Sequence, residues 1–135
     1  MLEKSCGIIL YTIIHNKRHY LLIQSSDGVI GFPKGHIEEN ETEKECALRE
    51  CEEETSIVAR LKPFFRKMVQ YPISKGMEKQ VVYFIGFFEN QVAKHNDGYE
   101  NFDYLLYPYE KAYDLLTFEN TKEVLVEAEK FLKLI

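Results

Sequence analysis

The chain has 135 residues, 45% hydrophobic and 29% charged, which excludes a disordered polyelectrolyte and is enough for one packed core. Its 17 basic residues against 22 acidic ones leave a net charge of −5, so no stable nucleic-acid partner and no anionic membrane surface is expected. Three cysteines, Cys6, Cys46 and Cys51, make no CxxC pair and have no histidine at ligand spacing, which excludes a disulfide scaffold and points to a reduced, cytoplasmic setting.

Residues 5–14 (SCGIILYTII) are β-branched and aliphatic and predict a strand; they are too short to span a membrane, and no basic stretch precedes them. Residues 15–19 read as a polar turn and 20–24 as a returning strand, followed by loop chemistry at 25–28. GlyPheProLysGly at 31–35 packs two glycines and a proline into five positions. Thr42 and Glu45 have the spacing of a capping box, so a helix is expected from there to about Thr55, with Ala47, Leu48 and Cys51 as its apolar stripe.

Strand patterns return at 64–71 and, most strongly, at 79–89, joined by a turn at 74–77, with a last strand expected at 104–107. Helices are expected over 108–116 and 121–134, the latter with Val124, Leu125, Ala128, Phe131 and Leu132 as its apolar face. The expected fold is therefore a single α+β domain over 1–135, a mixed β-sheet between helices in an α/β/α sandwich. Nothing in the pattern calls for a dimer, and a monomer is expected.

The charge is unevenly placed. Residues 36–56 hold nine glutamates against Lys44 and Arg49, so all the excess acid lies in one segment. At about 100° per residue, Arg49, Glu50, Glu53 and Glu54 share one side of the helix. Carboxylates about 4 Å apart repel by about 4 kcal/mol at an effective dielectric near 20, so such a face calls for a cation. A solvated acidic face is the ordinary outcome for a Glu-rich helix. Here, however, Lys34 and Gly35 precede it: a point charge suited to phosphate and a backbone that lets an ion approach. Hard cations such as Mg²⁺ or Mn²⁺ take oxygen ligands and fit this set better than zinc.

GHIEENETEKECALRECEEETSI (35–57) resembles the Nudix box, G-x5-E-x7-R-E-U-x-E-E-x-G-U with U aliphatic, at Gly35, Glu41, Arg49, Glu50, Glu53, Glu54 and Ile57. Cys51 stands at an aliphatic position and Ser56 at the glycine, which can serve a helix end at positive φ. The stretches at 21–28, 33–37, 65–71, 79–84 and 100–104 extend the resemblance to the asymmetrical bis(5′-nucleosyl)-tetraphosphatases.

The resemblance implies Mg²⁺-dependent hydrolysis of diadenosine tetraphosphate to ATP and AMP, with Mn²⁺ as a substitute. It implies metal binding by Glu50, Glu53, Glu54 and the Gly35 carbonyl, with Arg49 orienting a carboxylate and Glu41 as a brace. Either Glu50 or Glu100 would be the general base. Lys34, Lys79 and His36 are candidates for the polyphosphate, and Tyr71 for stacking on adenine. Tyr83 and Phe87 are expected in the core. The rival readings are the same chemistry on 5′-triphosphorylated RNA or nucleoside triphosphates, and a Nudix-fold module that binds nucleotides without cleaving them.

Overall fold

The computed structural model describes residues 1–135. β1 (Leu2–Ile14) and β2 (Lys17–Gln24) form a hairpin through His15 and Asn16, at φ 51° and 63°. Two left-handed residues in succession give a turn whose twist matches the flanking strands. The expected five-residue turn is thus only two residues long, and Lys17–His19 belong to the strand.

The chain continues through β3 (Ile30–Gly31), β4 (Lys34–His36), α1 (Glu43–Thr55) and β5 (Arg60–Leu61). Then come β6 (Lys67–Ser74), β7 (Met77–Phe87), β8 (Asp103–Pro108), α2 (Tyr109–Leu115) and α3 (Glu119–Lys133). β6 starts three residues later than expected, because exposed Phe64 takes φ 70° and interrupts any extended run there. β3, β4 and β5 are too short to carry a readable period.

β1 is the organiser. It runs parallel to β7 from Leu2 to Tyr11, antiparallel to β2 at its C-terminal end and antiparallel to β4 over Ser5–Gly7. β8 flanks β2 and β6 flanks β7, giving the mixed sheet that was expected. Successive β1 residues face opposite sides. Ile9 and Tyr11 join a core with Ala112, Val124, Leu125, Ala128 and Leu132 of α2 and α3. Cys6, Ile8 and Leu10 join another with Cys46, Ala47 and Cys51 of α1. A buried Val, Leu or Ile contributes about 1.5–3 kcal/mol, so the α3 side is held mainly by bulk. The α1 side buries small residues, which lets that helix lie close to the sheet. All three cysteines are free and buried. None of the helices is long and apolar enough to cross a membrane.

Candidate active site

β4 places Lys34 and Gly35 opposite Gly7 and Cys6 of β1. A side chain at Gly7 would lie 2.6 Å from the Pro33 carbonyl oxygen, so its absence admits this segment to the sheet. At Gly35 an added Cβ would overlap the Glu50 carboxylate, which rests directly on the backbone. The phase of α1 is set by its capping box: Glu45 N–H donates to Thr42 Oγ1 at 3.1 Å, and Thr42 N–H donates to the Glu45 carboxylate at 2.8 Å. From the buried side of α1, Cys46 Sγ donates to the Gly35 carbonyl at 3.4 Å.

Arg49 is the hub of the acidic face. It donates to Glu41 at 2.6 and 2.9 Å, to Glu50 at 2.9 Å, to Glu53 at 3.2 Å and to the His36 carbonyl at 3.1 Å. The guanidinium holds the Glu41 carboxyl down at about 2. Much of the compensation that the sequence assigned to a metal therefore comes from within the chain. The expected four-residue face also divides. Glu50 and Glu53 turn to Arg49, while Glu54 turns to β4 and accepts the Lys34 N–H at 3.0 Å. In this arrangement no three carboxylate, imidazole or thiol groups converge as one ligand set.

Glu54 is the most perturbed acid: burial first, then the neighbouring Glu50, pushes its pKa up to about 8. Glu100 adds to that push, and Lys34 opposes it. Lys34 is itself shifted down, by burial and then by the positive charge of Lys79. Burial also raises Glu50, against the pull of Arg49. A concavity of about 240 Å³ has Lys34, Glu54, Glu100, Phe32 and Phe102 among its walls.

Lys34, Lys79, Glu50, Glu54 and Glu100 are thus brought together. Half-buried Tyr71 is the cross-strand neighbour of Lys79. Exposed His36 stands further out, its Nε2 2.8 Å from Glu3. Tyr83 is in the core as expected, whereas Phe87 is half-buried. The oxygen donors of Glu50, Glu53, Glu54 and Gly35 suit a hard divalent cation, and the bare Gly35 backbone lets the Glu50 carboxylate lie directly against it.

Sequence reasoning missed the latch that carries Glu100 to this place. Asn96 Nδ2 donates to the Glu52 and Glu53 carbonyls at 2.7 and 3.1 Å, closing the open end of α1. Lys94 N–H donates to the Thr55 carbonyl at 3.0 Å, and Tyr104 Oη to the Glu54 carbonyl at 2.6 Å. Ser56 ends the helix at φ 64°, and its hydroxyl donates to the Lys94 carbonyl at 2.9 Å, a bond that glycine lacks. These side-chain partners stand 38 to 50 residues apart, beyond any local signal.

The NUDIX domain family model matches residues 7–128. A rat bis(5′-nucleosyl)-tetraphosphatase [asymmetrical] is 29% identical over 143 aligned residues, covering 98% of this chain and 97% of the relative. The fold is similar to a Caenorhabditis elegans Ap4A hydrolase binary complex, with TM-score 0.89, 23% identity and coverage of 98% and 99% of the two chains. It is also similar to the NUDIX domain of Shewanella oneidensis NrtR complexed with ADP ribose, with TM-score 0.77, 19% identity and coverage of 98% and 89%. With its Nudix-box residues running from Gly35 in β4 through α1 to Ile57, the chain belongs to the Nudix family of hydrolases.

Proposed function

We propose that this chain hydrolyses diadenosine tetraphosphate to ATP and AMP, with Mg²⁺, or Mn²⁺ in its place, held by Glu50, Glu53, Glu54 and the Gly35 carbonyl. The observation that carries the reading is the pairing of an Arg49-ordered carboxylate set with Lys34, which lines one concavity with Glu54 and has the charge of Lys79 beside it. The choice of substrate rests on the asymmetrical bis(5′-nucleosyl)-tetraphosphatases to which the chain is similar over nearly its whole length.

Bound among these oxygens, the cation would neutralise polyphosphate charge and lower the pKa of an attacking water. The residues supply the rest. Glu53 would turn from Arg49 to hold the cation, and Arg49 keeps its anchor on Glu41. Lys34 and Lys79 take non-bridging phosphate oxygens as charge develops. Water oxygen bonds to an outer phosphorus, the bridging P–O bond to the remaining triphosphate breaks, and the water's proton passes to Glu50 or Glu100. Tyr71 offers its ring face to an adenine, a contact worth about 1–3 kcal/mol. His36 serves a distal phosphate from the rim.

Product analysis by ion-exchange chromatography tests this, with Mg²⁺ and separate samples of diadenosine tetraphosphate, ATP, dGTP and 5′-triphosphorylated RNA. Equal ATP and AMP from the first, formed much faster than any product from the others, is the expected result. Faster turnover of RNA or a mononucleotide overturns the substrate. Absence of turnover with retained nucleotide binding overturns hydrolysis.

A further inference from the structure

The opposite end of the sheet carries a basic basin that the catalytic reading does not use. Tyr11 of β1 pairs with Phe87 of β7, and Phe87 with Arg60 of β5, so the three stand in one row across the strands. Cross-strand neighbours in such a row share a sheet face. The Arg60 guanidinium lies over the Phe87 ring, 5.3 Å from its centroid, and that of Arg18 over Tyr11 at 5.9 Å. Lys62 follows Arg60 by two residues, and its backbone is fixed by an N–H donated to the Ile85 carbonyl at 2.8 Å. These groups, with Ile13 and Leu132, line a concavity of about 490 Å³.

Its charge is only partly answered. Arg18 is 3.1 Å from Glu129 and Arg60 is 3.3 Å from exposed Glu89, while Lys62 makes no ion pair. The Arg18 Nε–H is buried and has no hydrogen-bond partner. Arg18 and Arg60 therefore stand on strands, each stacked on a ring that orients it, and Lys62 follows directly after β5. Arg18 also answers the buried Glu129, but neither the core nor the acidic site requires Arg60 or Lys62. Tyr11 lies four residues along β1 from Gly7, the partner of Lys34, so this basin is about 13 Å further along the strand.

We propose that the basin is a second binding site, for a small phosphate-bearing anion, whose oxygens are taken by Arg60, Lys62 and Arg18 and whose organic part lies against Ile13 and Leu132. Guanidinium forks match phosphate geometry, and an adjacent ammonium adds a further donor. The apolar walls admit a nucleoside monophosphate as well as an inorganic phosphate chain.

The test is a titration of the full chain with inorganic pyrophosphate and, separately, with AMP, followed by backbone amide NMR shifts. EDTA is present so that no divalent cation draws phosphate to the carboxylates of α1. Saturable shifts are expected at residues 11–13, 18, 60–62 and 87. The double variant Arg60→Gln/Lys62→Gln should weaken that binding at least tenfold, with a native amide spectrum and hydrolysis within twofold of the parent. Saturation by both probes means that phosphate alone is recognised; saturation by AMP alone means that the nucleoside is held too, and either supports the site. Shifts confined to Lys34, Tyr71 and Lys79, unchanged affinity in the double variant, or no saturable response overturns it. Because binding at the basin is read from amide shifts in EDTA, a failure of the proposed hydrolysis leaves this result unaffected.

Discussion

Two glutamates on two helices, one on each side of the same sheet, show opposite ways of burying a carboxylate. Glu129 of α3 is 8% exposed and fully answered: Tyr20 donates to it at 2.5 Å, Arg18 at 3.1 Å, and Lys133 is 3.8 Å away. Glu54 of α1 has one backbone N–H, two acidic neighbours in Glu50 and Glu100, and Lys34, itself weakened as a cation, as its counter-charge. Partners of opposite charge turn the first into a brace between α3 and the β1–β2 hairpin. The second is left under strain that a ligand can relieve. A buried acid with its partners present belongs to the fold, and one without them belongs to a site.

The largest expected effect breaks the site half of this contrast. Glu54→Gln should lower kcat by about 10³-fold, read in steady-state kinetics, because the proposed metal ligand is lost while the fold is spared. The same variant gives a stability signature without metal. An acid whose folded pKa is raised costs stability as pH climbs from its ordinary value near 4.5 through about 8. In EDTA, Glu54→Gln should therefore melt higher than the parent at pH 9 and match it at pH 4, measured by calorimetry. A lower melting temperature at pH 9 would make Glu54 a structural acid like Glu129.

The reverse experiment is Glu129→Ala, which strands Arg18 and the Tyr20 hydroxyl. It should cost about 3 kcal/mol in urea denaturation and leave kcat unchanged. Tyr71→Ala asks how far the site extends along β6: KM for diadenosine tetraphosphate should rise about tenfold with kcat changed less than threefold. The smallest effect belongs to Ser56→Gly. Relief of a left-handed residue, worth about 1 kcal/mol, is offset by loss of the bond to Lys94, so stability should move by less than about 0.5 kcal/mol. A larger loss would make that hydroxyl a main tie of the Glu100 loop.

What could be read beforehand follows from range. The capping box at Thr42 and Glu45, the small apolar face of α1 and the 3.6-residue stripe of α3 are local, and each element formed where its pattern lay. Arg49 and Glu53, four residues apart, were likewise predictable neighbours. Strands of two or three residues were not, since β3, β4 and β5 exist only because β1, β2 and β7 supply the other half of each ladder.

The amino-acid sequence by itself determined the family chemistry, because the spacing of the acids on α1 is a property of one helix and needs no partner. Only the tertiary structure decided how those acids are compensated. Arg49 gathers Glu41 across eight residues, whereas Glu54 meets Lys34 across twenty. Asn96, Lys94 and Tyr104 return from the far side of β7 to seat Glu100 beside them. Burial and like-charge proximity, which set the Glu54 pKa, arise only when such distant segments exclude water together.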